Sequence, residues 1–336
     1  MIKVLIIDVS PLIRRLLTEI LQQAKDITVV GSAEDPYEAR EMIKKLSPDV
    51  LTLDVEMPKM DGISFLKNLM RLRPMPVVMI STLTQKGSPI TLEALELGAV
   101  DFIAKPTNNV REQLSQYASL VQQKVRIAAG ARVRSYKKTV VTNEPINTHS
   151  QFLLNKVIAI GASTGGTEAI KEVLIKMPQN CPPIVITQHI PPVFSASFAE
   201  RMNRTCTINV KEAEHGDKLS AGWAYIAPGG FHLSIKKRGV SLYCQLDDGE
   251  PVNRHKPAVV ETGAKNVVAA ILTGMGSDGA KGLLALKQNG AHTLAQDEYS
   301  SVVWGMPKAA AELNAADEIV ALDKITQRLL HQAVKV

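Results

Sequence analysis

The feature that most restricts the fold of this chain is a repeated alternation. Short apolar runs, each closing on a polar or small residue, are separated by segments whose apolar residues recur at helical spacing. In the first third of the chain the runs are "VLIID", "ITVVG", "DVLTLD", "PVVMIS" and "DFIAK". Near-continuous apolar runs are strands buried on both faces, and a helix between successive runs is the crossover that parallel strands require. The pattern predicts an α/β fold with a doubly wound parallel sheet over residues 1–123. Its first helix is the best signalled: Ser10 is a fit N-cap, Pro11 takes the first helical position, and Ile13, Leu16, Leu17, Ile20 and Leu21 share one face.

Over residues 124–151 the periodicity fades and Ser, Thr, Asn, Pro and Lys gather, as in a linker that is helical only where it leaves the first domain. From Phe152 the alternation resumes with "KVIAIGAS", "PPIVITQH", "WAYIAPGG", "NVVAAILTGMG" and "AHTLAQD", which predicts a second doubly wound, Rossmann-like domain over 152–336. A length of 336 residues with 45% hydrophobic content supplies two separate cores. The net charge of +6 is matched by the six basic residues of "KVRIAAGARVRSYKK", so the excess sits in the linker and not on a domain face. That distribution speaks against a nucleic-acid partner, and the second domain carries no helix-turn-helix signal. No apolar stretch is long enough to span a bilayer and no signal peptide opens the chain, so the expectation is a cytoplasmic protein with no membrane insertion. Cys181, Cys206 and Cys244, without CxxC spacing, read as reduced thiols and not as disulfides or a zinc site.

Functional groups of an open parallel sheet collect at the carboxyl ends of its strands. In the first domain these ends carry Asp8, Asp54, Ser81 and Lys105. Each alone is an ordinary strand end or cap; together, two carboxylates, a hydroxyl and an ammonium can hold a divalent cation and a phosphoryl group. "LDVEMPKMDG" and "AKP" resemble the receiver domains of bacterial response regulators. The resemblance implies that Asp54 is the phosphoacceptor, that Ser81 and Lys105 contact the phosphoryl oxygens, and that Asp8, Asp54 and the carbonyl of Glu56 hold Mg²⁺. One position departs from it: "IIDVS" puts Val9 where such receivers carry a second acid, which gives reason to expect weak metal binding.

In the second domain "GASTG" fits the G-x-S-x-G turn between a strand and a helix, where small neighbours let a serine hydroxyl stand clear. Five residues leave three readings open: a nucleophile, a phosphate-binding loop, and a purely structural turn. The dinucleotide version is weakened because "GASTGG" lacks the G-x-G-x-x-G spacing and the next strand ends in a histidine instead of an acid. Ser163, His189 and Asp278 fall at the carboxyl ends of three strands, where a catalytic triad could assemble. His255, in "VNRHKP", is the best rival histidine. The order Ser, His, Asp is not that of α/β-hydrolases.

"IAIGASTGGTEAI", "ITQHIPP", "AYIAPGG", "VNRHKP", "ILTGMGSDGAKG" and "VVWGMP" resemble, in order, the catalytic domain of the CheB family of chemotaxis protein-glutamate methylesterases. With the receiver in front, the resemblance covers nearly the whole chain. It implies hydrolysis of glutamate γ-methyl esters and deamidation of glutamines on the cytoplasmic domains of methylated chemoreceptors. Ser163 would be nucleophile, His189 base and Asp278 orienting acid, with backbone N–H groups of Thr164 and Met275 as oxyanion hole and no cofactor at the esterase site. It further implies a chemotaxis histidine kinase as phosphodonor and a receiver that covers the site until Asp54 is phosphorylated. The stretch after Pro257 is shorter than the family's by about two helical turns. The rival expectation is a receiver-linked, receptor-binding protein that no longer hydrolyses; a DNA-binding regulator has only the basic linker in its favour.

Overall fold

The computed structural model describes residues 1–81, 88–106, 110–133, 152, 156–249, 259–260 and 264–334. The chain divides into two compact units, residues 1–139 and 140–336.

The first unit runs β1 (Ile2–Ile7), α1 (Pro11–Gln22), β2 (Ile27–Ala33), α2 (Pro36–Leu46), β3 (Val50–Asp54), α3 (Gly62–Leu72), β4 (Val77–Ser81), α4 (Ser88–Glu96), β5 (Asp101–Ala104) and α5 (Val110–Ala129). Its five strands are parallel in the order β2-β1-β3-β4-β5. The chain leaves β1 toward one edge and returns to β3 on the other side, so a crevice opens at the carboxyl ends of β1 and β3. Helix α1 starts as expected: the Ser10 hydroxyl accepts the Ile13 N–H, Pro11 opens the helix, and Leu17, Ile20 and Leu21 are buried.

Helix α5 continues past residue 124 to Ala129, with Val125 and Ala128 fully buried. The basic stretch therefore begins inside a folded helix. Lys124 pairs with Asp101 at 2.6 Å, and Arg126 forms a two-pronged bond to Asp26 at 2.7 and 2.8 Å that lowers this carboxyl to about 2. Two of the six charges are thus structural rather than merely solvated, because a carboxylate stands within reach of each. Residues 134–151 of the expected linker lie outside the described residues.

The second unit runs β6 (Val157–Ala162), α6 (Gly166–Leu174), β7 (Ile184–Gln188), α7 (Pro192–Thr205), β8 (Asn209–Glu212), β9 (Trp223–Ile226), β10 (His232–Arg238), β11 (Ser241–Asp247), β12 (Val259–Val260), β13 (Val267–Ile271), α8 (Ala280–Gln288), β14 (His292–Gln296), α9 (Met306–Glu312), β15 (Glu318–Val320) and α10 (Leu322–His331). Seven strands form one parallel sheet, β15-β14-β13-β6-β7-β9-β8. From β6 the chain proceeds to β7 on one side and later to β13 on the other. The switch point lies between β6 and β13, and Ser163 follows β6 directly.

Five strands are absent from the sequence reading: β8 and β15 at the two edges of the parallel sheet, and β10, β11 and β12, which form a separate three-stranded sheet. β10 and β11 pair antiparallel around a two-residue turn at Gly239, whose φ of +60° suits glycine, and β12 adds to β10 in parallel. Leu233, Ile235 and Cys244 of this hairpin are buried in the core and Leu242 and Leu246 pack against it, while Lys236, Lys237 and Arg238 extend it into solvent and hide the period-two signal. The three cysteines are free thiols, and burial pushes Cys181 and Cys244 up to about 12 and Cys206 up to about 11, which keeps them protonated and unreactive. No helix among the described residues is long and apolar enough to cross a membrane.

Candidate active site

Ser163, His189 and Asp278 meet at the carboxyl edge of the second sheet. The Ser163 hydroxyl lies 3.2 Å from His189 Nδ1, and His189 Nε2 lies 2.8 Å from Asp278 Oδ2. The imidazole thus bridges hydroxyl and carboxylate, with its Nδ1 facing the serine. His189 and Asp278 side chains are only 13% and 11% exposed, so the pair is shielded from water while still reachable from the edge. His255 and Pro257 lie outside the described residues. Another histidine, His292, bonds Glu318 at the β14–β15 edge of the sheet, away from Ser163.

The glycines around Ser163 are there because atoms of neighbouring loops occupy the space of a side chain. Gly165 has φ +76°, and a Cβ on it would lie 2.7 Å from Val302 Cβ. A Cβ on Gly166 would lie 2.1 Å from Gln188 Oε1, and one on Gly274 would lie 2.8 Å from Ser163 Cβ. Three loops are therefore pressed together: residues 163–166 after β6, 273–279 after β13, and 301–305 after β14.

Polar groups fasten the three loops. The Ser163 N–H donates to the Thr273 carbonyl at 3.0 Å. The Thr273 hydroxyl donates to the Thr164 carbonyl at 3.0 Å and accepts the Val303 N–H at 2.9 Å, while its own N–H donates to Gln296 Oε1. The Gly305 and Met306 N–H groups both donate to the Gly274 carbonyl, at 3.1 and 2.8 Å. This gives "VVWGMP" a physical role that sequence reasoning missed: its backbone clamps the loop that carries Met275 and Asp278. Thr273 and Gln296, fully or almost fully buried, were missed as well, although a polar residue closing an apolar strand is a visible signal.

In the first unit, Asp8 and Asp54 are fully buried at the crevice between β1 and β3, and Ser81 is buried at the end of β4. Lys105 Nζ lies 3.1 Å from Asp8 Oδ2 and 2.7 Å from Asp54 Oδ2. Burial pushes the Asp54 carboxyl above the usual carboxylate range, the Asp8 charge adds to this, and the hydrogen bond to Lys105 opposes it. Lys105 is itself raised: burial pulls it down, but its bond to Asp54 and the two carboxylate charges prevail. The Glu56 N–H donates to Asp54 Oδ1 at 3.2 Å, and Arg14, unnoticed in the sequence, donates to the carbonyls of Asp8 and Val9. Val9 turns a side chain that is 42% exposed toward solvent.

Two family models match the chain: a response regulator receiver domain over residues 4–117 and the CheB methylesterase over residues 158–329. A protein-glutamate methylesterase/protein-glutamine glutaminase of Nitrosomonas europaea is 53% identical, covering 99% of this chain and 97% of that protein. One of Pectobacterium atrosepticum is 52% identical, with 98% and 97% covered. Among solved structures, the CheB methylesterase catalytic domain of Thermotoga maritima is 36% identical and covers 52% of this chain and 97% of that one, with a TM-score of 0.49.

Proposed function

The chain belongs to the CheB methylesterase family, with a response regulator receiver domain in front, and from that premise we propose that Ser163, His189 and Asp278 carry its protein-glutamate methylesterase and protein-glutamine glutaminase activity. The observation that supports these roles is the unbroken line from Ser163 Oγ through both imidazole nitrogens to Asp278 Oδ2. Nothing in the comparisons favours a non-catalytic binding protein.

In the proposed reaction Ser163 Oγ attacks the γ-ester carbonyl carbon while its proton passes to His189 Nδ1. Asp278 accepts the Nε2–H bond, which fixes the tautomer and balances the imidazolium charge. As the tetrahedral intermediate collapses, the Nδ1 proton goes to the methoxy oxygen and methanol leaves. Water, deprotonated by His189, then attacks the acyl-enzyme, and the glutamate carboxylate and free Ser163 result. With a glutamine side chain the same route releases ammonia. Backbone N–H groups of Thr164 and Met275 are the proposed oxyanion donors. The proposed substrates are methylated cytoplasmic domains of chemoreceptors, so the proposed site of action is the cytoplasm.

Asp54 is the proposed phosphoacceptor, with a histidine kinase as donor and Lys105 and Ser81 on the phosphoryl oxygens. Asp8, Asp54 and the Glu56 carbonyl are hard oxygen donors, and two buried carboxylates share a single ammonium, so the residues fit a bound Mg²⁺. That ion would supply charge screening for attack on phosphorus.

The test is methanol release from methylated receptor by Ser163→Ala. The variant should be folded and inactive; turnover at the wild-type rate in a folded Ser163→Ala protein would remove Ser163 from the reaction.

A further inference from the structure

Gln188 is the last residue of β7, 4% exposed, at the end of an apolar strand. Its Nε2 donates to the Ser163 carbonyl at 2.9 Å and to the His189 carbonyl at 3.3 Å. Both partners are acceptors, so only the nitrogen of the amide can face them. The oxygen end, packed over Gly166, is buried with no hydrogen-bond partner among the described residues. A buried acceptor left unsatisfied is a cost with no structural return, so the amide is held here for its nitrogen.

What that nitrogen holds is the peptide plane behind the nucleophile. The Ser163 carbonyl also accepts the Gly166 N–H at 2.7 Å, so two donors converge on one oxygen. The 163–164 peptide is planar and trans, and its N–H, which belongs to Thr164, points opposite to that carbonyl. Donors on the oxygen fix the direction of the N–H and polarise it, because hydrogen bonds in a chain strengthen one another.

We propose that Gln188 is a positioning residue for the oxyanion site: by gripping the Ser163 carbonyl it aims and polarises the Thr164 N–H at the negative charge that develops during attack. This rests on the reading of Ser163 as nucleophile. An oxyanion donor acts on the tetrahedral state far more than on the bound ester, so its loss falls on kcat and leaves KM in place. Deleting one such donor costs about 10² to 10³ in rate. Gln188 loosens the donor without deleting it, so a loss of roughly 10 to 100-fold follows.

The experiment uses the full chain with Gln188→Met, which keeps the length and removes the donor, assayed by methanol release from methylated receptor. Rates are expressed per active site, titrated to completion with a serine-reactive fluorophosphonate. The expected result is a kcat lowered about 10 to 100-fold per titrated site with KM within about twofold and the midpoint of the pH–rate profile unmoved, since the imidazole itself is not touched. A merely structural role would lower the number of titratable sites and restore wild-type kcat per site, and that outcome overturns the proposal. So does a shifted pH midpoint with an unchanged plateau. If Gln188→Met does not fold, Gln188→Asn, which withdraws the donor by one methylene, carries the same comparison and must also lose kcat at constant KM. Activity in Ser163→Ala under the same assay would instead sink the reading of the nucleophile, so the two failures are distinct.

Discussion

Gly274→Ala tests whether the pressed loops of the second unit set the catalytic geometry. The new methyl would lie 2.3 Å from Met306 Sδ and 2.8 Å from Ser163 Cβ. Met306 can turn its thioether away. Ser163 cannot follow, because its N–H is bonded to Thr273 and its carbonyl to Gly166 and Gln188. Reaching an ordinary carbon contact of about 3.4 to 3.8 Å requires Ser163 and the 273–279 loop to part by roughly 0.6 to 1 Å. A misplacement near 1 Å costs about 10² in rate, and overpacking costs about 1 to 3 kcal/mol of stability. We expect kcat for methanol release to fall about 30 to 100-fold, with a melting temperature lowered by roughly 2 to 12 °C. Rates are read well below the melt, so that unfolding does not contribute. A Gly274→Ala enzyme within twofold of wild type would show that the contact is not constraining, and the argument for loop geometry would fail.

Two further outcomes are expected. Val9→Asp adds a carboxylate beside Asp8 and Asp54, so a Mg²⁺ titration should show affinity tightened by at least about tenfold and phosphorylation of Asp54 by a small phosphodonor should speed up, with lower metal-free stability from carboxylate repulsion; equal affinity in both proteins would mean that position 9 is not at the metal site. Glu318 is held below its usual range despite burial, through bonds to Arg328 and His292, so its ionised form stabilises the fold above pH 4.5 and that contribution disappears as pH falls through its lowered folded value; Glu318→Gln should lose about 0.5 to 1 kcal/mol at pH 7 and nothing at strongly acid pH, and a pH-independent difference in melts would contradict this.

The central strands of both sheets, such as β3, β4, β7 and β13, were legible in the sequence because they are buried along their whole length and their runs are largely apolar, whereas the half-exposed edge strands β8 and β15 were not. The β10–β11 hairpin was not, since three cations occupy its solvent end. Lys124 and Arg126, in the helical start of the expected linker, look like a solvated run until Asp101 and Asp26, distant in sequence, are brought beside them. Ser163, His189 and Asp278 could be paired in advance because topology sends every strand's carboxyl end to one edge. Which imidazole nitrogen faces the serine could not, because that depends on the approach of two loops. Thr273, Gln188 and the clamp at Gly305 and Met306 were hidden for a related reason: they act largely through backbone carbonyls and amides, which every residue carries and no spacing announces.

The most direct measurement of the central claim is to quench the full chain during turnover of methylated receptor, digest it, and locate the acyl group by mass spectrometry. A glutamyl ester is expected on the peptide that contains Ser163, formed with release of methanol and absent from Ser163→Ala. A burst of methanol with no adduct at Ser163, or an adduct on another side chain, would contradict it.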